Sequence, residues 1–240
     1  MSLLLVPGFM LDADLWRDVA PGLQAFGPIR HADLSHDDSV TAMARRALAE
    51  VPASFALIGF SMGGYVAREI VRIAPDRVTA LVLIATSARG DTDVQARRKA
   101  AAATRAAVAG FGGLSRAAIA ASLHPDHAGD EALAGRIQAM GARLGGEVFR
   151  RQSMLDRQGD LDRLHEIRCP TLVIAGGQDR LRSLAEATEL QEGIAGSEIA
   201  VIEGTGHMVP MEAPARLVDI IRPWLGKVAR LPDAASPQGS

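Results

Sequence analysis

Five short apolar runs, each closed by glycine, proline or a polar turn residue, constrain this chain more than any other feature. They are Leu3–Val6, Phe55–Gly59, Ala80–Ala85, Thr171–Ala175 and Glu198–Ile202. None alternates apolar with polar at period two, so both faces of each strand are expected to be covered, as in a parallel sheet. Helical patterns lie between them. Ser39 can cap a helix that carries Val40, Met43, Ala47, Leu48 and Val51 on one face and stops at Pro52. Gly63 to Ala74 reads as a second helix, ended by Pro75. Pro214 opens a third, with Leu217, Ile220, Ile221 and Leu225 on its apolar face. Strand alternating with helix predicts an α/β fold, a mostly parallel sheet with helices on both faces.

The alternation breaks between residues 88 and 168. That stretch holds helical patterns (Thr92–Val108, Leu114–Leu123, Asp130–Met140, Glu147–Arg157) separated by Gly110-Phe111-Gly112-Gly113, His124-Pro125 and Gly145-Gly146. It reads as an all-helical insertion between two parts of one core domain, 1–87 and 169–226. The two glycine-rich breaks are candidate hinges. Residues 227–240, rich in Pro, Ala, Ser, Gln and Gly, are expected to fray. No internal repeat is visible.

Composition removes several function classes. The chain has 240 residues, 48% of them hydrophobic and 22% charged, which excludes general disorder. Its net charge of −2 gives no basic field for nucleic acid, and few aromatics are present to stack on bases. No apolar run approaches a membrane span. Leu3–Val6 is too short for the apolar part of a leader and has no basic segment before it, so it reads as a buried strand. The single cysteine, Cys169, permits no internal disulfide; this fits a reducing compartment, and a cytoplasmic location is expected.

Three motifs carry chemistry. Gly59-Phe60-Ser61-Met62-Gly63 is a G-x-S-x-G between the strand Phe55–Ile58 and a helix, the context that a nucleophile elbow requires. A sharp strand-to-helix turn crowds its neighbours, hence the two glycines, and lifts the serine hydroxyl to a helix N-terminus that favours negative charge. The bland alternative is a Gly/Ser turn with Ser61 as a mere cap. His207, in Gly206-His207-Met208, follows the last apolar run. A serine hydroxyl needs an adjacent base, and imidazole suits the task. The other histidines (His31, His36, His124, His127, His165) are read first as surface or capping residues. Asp179 follows the strand Thr171–Ala175 in Gly176-Gly177-Gln178-Asp179 and can fix the histidine tautomer; alone it would pass for a turn aspartate. Together the three stand in the chain order serine, acid, histidine, each just past a predicted strand. Pro7-Gly8-Phe9-Met10 follows the first strand. The Met62 N–H and one from this loop are expected to form an oxyanion hole, with Phe9 as first choice and Met10 as fallback.

On these residues the chain resembles the α/β-hydrolase superfamily, in particular its compact lidded esterase, lactonase and thioesterase branch. The resemblance spans Val6-Pro7-Gly8-Phe9 to Leu15-Trp16, the elbow, Ile167–Gly176 and Gly206–Pro214. It implies that residues 88–168 are the variable lid and that the sheet is trimmed to about six or seven strands. Many relatives have His-Gly where this chain has Pro7-Gly8, a change outside the triad that bears on the oxyanion loop. The resemblance also implies a serine hydrolase acting on a small carboxylic ester, thioester or lactone through an acyl-enzyme. Ser61 would be the nucleophile, His207 the base and Asp179 its orienting acid, and activity would fall as His207 becomes protonated. Lyase, acyltransferase or perhydrolase chemistry on the same triad, or a binding receptor on this fold, remain open.

Met10 and Met208 are candidate pocket walls, since methionine makes adaptable apolar surface. The slight basic excess of residues 88–168 is compatible with anionic acyl groups but is read first as a solvated helical face, Arg97-Arg98-Lys99 included. There is no Cys pair, H-E-x-x-H or phosphate-binding glycine loop, so no metal and no cofactor is expected. The expected partners are a small acyl substrate and water; oligomeric state is not legible.

Overall fold

A computed structural model describes residues 1–109 and 111–230. Six parallel strands form one sheet in the order β2-β1-β3-β4-β5-β6: β1 Ser2–Val6, β2 Ile29–His31, β3 Phe55–Phe60, β4 Val78–Ile84, β5 Thr171–Gly176 and β6 Glu198–Ile202. Its connections are helical: α1 Ala20–Leu23, α2 Val40–Ala49, α3 Met62–Ile73, then α4 Asp93–Ala109, α5 Arg116–Ser122 and α6 Glu131–Ser153 in the insertion, and α7 Leu184–Gly193, α8 Val209–Glu212 and α9 Pro214–Val228. This is the α/β-hydrolase fold.

The central strands divide their side chains between two cores. Leu3 and Leu5, Ile58 and Phe60, Val82 and Ile84 enter one core with Leu217, Ile221 and Leu225 of α9. Leu4 and Val6, Phe55 and Leu57, Leu81 and Leu83 enter the other with Met43 of α2, Val66 and Ile70 of α3 and Leu190 of α7. Burial of both pleat faces is why these runs show no alternation.

Two strands depart from expectation. β2 carries Ile29, Arg30 and His31 at the sheet edge, where one face of pairing and little burial suffice; it has no apolar run to announce it. β6 was expected to be covered on both faces, but it is the opposite edge, with Glu198 and Ile199 exposed and only Ile202 fully buried. In the insertion, α6 joins two expected helices across Gly145, whose φ of +80° breaks the helical path. It ends at Ser153, so Arg157 lies beyond the helix. The chain stays helical to Val228, two residues into the expected tail; residues 231–240 and Gly110 of the first candidate hinge lie outside the described residues. Among the described residues no helix is long and apolar enough to cross a membrane.

Candidate active site

All the candidate residues sit at one rim, because a parallel sheet puts every strand's C-terminal end on the same side. Val6 pairs with Gly59, Gly59 with Leu83 and Gly176 with Ile202, so the loops after β1, β3, β5 and β6 leave the sheet side by side.

Ser61 has φ +52° and ψ −114°, a conformation that costs a non-glycine residue about 1–3 kcal/mol. The surroundings enforce it. The Ser61 N–H donates to Ile84 O at 2.9 Å, and Thr86 Oγ1 donates to Ser61 O at 2.7 Å. A Cβ on Gly59 would lie 2.7 Å from Gly63 O, and one on Gly63 would strike the Val6 and Pro7 carbonyls. The glycine spacing is therefore a steric requirement of strand β3 turning into α3.

His207 Nε2 lies 2.9 Å from Ser61 Oγ, and His207 Nδ1 lies 2.7 Å from Asp179 Oδ2. The other carboxylate oxygen of Asp179 accepts the N–H groups of Leu181 and Arg182 at 2.7 and 2.9 Å. The Asp179 side chain is only 1% exposed. Gln178 braces the two loops: its N–H donates to Thr205 O at 2.9 Å, and its Oε1 accepts from Gly204 N at 2.7 Å. Phe60 packs against the His207 ring, with centroids 5.2 Å apart.

Among the described residues neither the Phe9 nor the Met62 N–H has a hydrogen-bond acceptor, while the fallback donor, Met10, gives its N–H to Gln152 Oε1 at 2.9 Å. That bond occupies Met10 and leaves Phe9 available. Nor is Met10 a wall of the cavity over Ser61. With φ +55° it turns inward and is wholly buried, outside the lining of the cavity over Ser61. Met208 does line that cavity.

The cavity measures about 320 Å³. Leu11, Phe60, Leu114, Ala118 and Ile137 give it apolar walls, and Ser61 and His207 open onto it. The lone thiol lies at the other end of the sheet, before β5, where burial pushes Cys169 up to about 11 and makes it a poor nucleophile.

Two residues that the sequence does not announce hold this geometry. Gln152, 1% exposed at the end of α6, ties the β1 loop to the insertion and donates through Nε2 to Leu34 O at 3.1 Å. Glu212, whose side chain is fully buried, accepts from the N–H groups of Gly206, Met208 and His124 and meets His127 Nδ1 at 2.9 Å. It thereby clamps the His207 loop to the insertion, through the His127 ring and the His124 backbone; the His124 ring itself accepts from Asp126 N at 3.1 Å, the capping role expected of it.

The sequence profile of the alpha/beta hydrolase family matches residues 3–220. A pimeloyl-[acyl-carrier protein] methyl ester esterase of Photobacterium profundum is 36% identical over 96 residues, 37% of this chain and 38% of that protein. The chain thus matches well under half the length of that relative. One of the same description from Neisseria meningitidis is 28% identical over 223 residues, covering 85% of this chain and 84% of the other. Among solved structures, a thermophilic esterase from Thermogutta terrifontis superposes with a TM-score of 0.83 at 28% identity, covering 95% of this chain and 90% of that one. Fold, rim geometry and profile agree: this chain belongs to the alpha/beta hydrolase family.

Proposed function

We propose that the protein is a serine hydrolase that cleaves a small carboxylic ester, thioester or lactone through an acyl-enzyme. The observation that carries this reading is the continuous relay from Asp179 Oδ2 through His207 to Ser61 Oγ, with bonds of 2.7 and 2.9 Å, on a serine held in a strained turn. Esterases among the relatives of both kinds support it.

Each step follows from a named group. Ser61 Oγ attacks the substrate carbonyl as its proton passes to His207 Nε2. Asp179 holds Nδ1–H toward itself and stabilises the imidazolium that forms. The carbonyl oxygen, now negative, accepts from the N–H groups of Phe9 and Met62, aided by the N-terminus of α3. The tetrahedral intermediate collapses, and His207 returns its proton to the departing alkoxide or thiolate. His207 then draws a proton from water as it attacks the acyl-Ser61 ester, and when the second tetrahedral intermediate collapses His207 returns that proton to Ser61 Oγ and the acid leaves. The cavity sits at the small end of the usual range for ligand sites, about 300–1,000 Å³, so short acyl groups are expected to fit best.

A series of nitrophenyl esters of rising acyl length tests the reading. Hydrolysis should peak at short chains and vanish in Ser61→Ala. Equal turnover by Ser61→Ala would overturn it.

A further inference from the structure

The far wall of the cavity over Ser61 is charged. Asp91, Lys99, Arg157 and Arg182 all line it. Lys99 Nζ pairs with Asp91 Oδ2 and Arg182 with Glu186 Oε1, which among the described residues leaves Arg157 without a carboxylate within ion-pair distance. Arg157 is only 7% exposed, yet among the described residues its guanidinium meets no hydrogen-bond acceptor and no carboxylate, and its Nε is buried without a partner. The Nε of Arg182 is likewise buried and unpartnered. That side chain reaches Leu181 O at 3.3 Å and Glu186 Oε1 at 3.7 Å, while Glu186 Oε2 takes the Ser183 N–H at the start of α7. Arg157 is held in place from its backbone, whose carbonyl accepts from Asp91 N at 3.0 Å, and its Cζ stands 5.9 Å from the Phe9 ring centroid.

A buried charge without a counter-charge is costly, and native structures keep one where a ligand supplies the missing partner. Burial pulls the Arg157 guanidinium below the ordinary arginine value, with Asp91 opposing and Arg182 adding to the effect. Burial and then the charge of Arg157 do the same to Lys99. An anion entering the cavity would relieve all three cations at once.

We infer that Arg157, with Arg182 and Lys99 beside it, forms an anion subsite that selects esters bearing a carboxylate. This deepens the esterase reading and rests on it. The carboxylate can belong to the acyl chain, as in a half-ester of a dicarboxylic acid, or to the alcohol part. Both place one negative group in the cavity that holds the scissile carbonyl.

Matched ester pairs decide it: methyl hexanoate against monomethyl adipate for the acyl side, and propyl acetate against 3-acetoxypropanoate for the alcohol side. For one pair, kcat/KM of the charged member should exceed that of the neutral one about 10-fold or more, mainly through KM, and the favoured pair names the side. In Arg157→Gln that ratio should fall about 10-fold, and Arg157→Lys should keep part of it. The Tm of Arg157→Gln should equal or exceed that of the unaltered protein, because an uncompensated charge is removed. Should Arg157→Gln not fold, Arg182→Gln must show the fall in ratio. A ratio near one for both pairs, or one that Arg157→Gln and Arg182→Gln leave unchanged, overturns the subsite while esterase activity stands. If no ester is cleaved, the esterase reading fails, and calorimetry with adipate decides the subsite alone. Binding weakened about 10-fold in Arg157→Gln supports it, and no binding overturns it.

Discussion

The strand-end loops and the helical insertion reach the same cavity by different physics. Ser61, Asp179 and His207 each follow a buried strand, and the parallel register carries them to one rim. Their geometry is local: a glycine-flanked turn and a carboxylate bonded to amides two and three residues on. The insertion supplies Lys99, Ile137 and Arg157 to the cavity, and its hold on the β1 loop depends on a contact far along the chain, Gln152 Oε1 with Met10 N. It is also tied down by charge. Asp160, on its return segment, accepts from Arg68 Nε and Nη2 at 2.9 Å each and pairs with Arg72. On the proposed function, the bond-making groups thus sit on loops of the sheet, while the cavity walls are shared between those loops and the insertion, the part most easily exchanged.

Substitutions at the rim should damage rate and spare stability. Ser61→Ala is expected to lower kcat by about 10⁵-fold, and Asp179→Asn, which leaves the ring tautomer unfixed, by about 10⁴-fold. Melting curves beside the kinetics check both, and a large loss of Tm in either would blur the contrast between the two regions. At the insertion the order should reverse. Asp160→Ala leaves the buried Arg68 without a carboxylate, while Arg72 keeps Glu166 at 3.2 Å, and should destabilise by about 3–5 kcal/mol in denaturant titration, with kcat little changed in whatever remains folded.

Acid sharpens the same point. Burial pushes the Asp160 carboxyl up, but hydrogen bonds and charge from Arg68, then Arg72, outweigh it and hold the group below the ordinary carboxylate range. Its folded value being depressed, the pair stabilises fully above the unfolded value of about 4 and loses that contribution as pH falls further. Unfolding free energy should therefore drop below about pH 4, and much less in Asp160→Asn. The smallest expected effect belongs to the joint between regions. Gln152→Leu removes the acceptor for Met10 N–H, so kcat should fall about 10-fold with KM nearly unchanged.

The sheet was legible because its burial writes itself into composition. Leu3–Val6 and Ala80–Ala85 contain nothing a solvent face would need. β2 was not, since Ile29-Arg30-His31 lies at an edge and buries almost nothing; β6 misled in the opposite sense, its apolar residues half exposed at the other edge. The rim residues were legible because elbow chemistry imposes fixed spacing on Gly59, Ser61 and Gly63. Glu212 and Gln152 were not, because nothing local separates a clamp from any other buried polar residue. The place of Met10 is not legible either, since its N–H is taken by an acceptor 142 residues away. Lys99 looked like part of a solvated face beside Arg97 and Arg98, but it turns into the cavity to meet Asp91.

The most direct test is covalent. A fluorophosphonate should phosphonylate Ser61 alone, as read by peptide mapping, with labelling abolished in Ser61→Ala and strongly slowed in His207→Ala. An adduct on another residue, or labelling of equal speed without the imidazole, would contradict the relay from which everything at this rim is built.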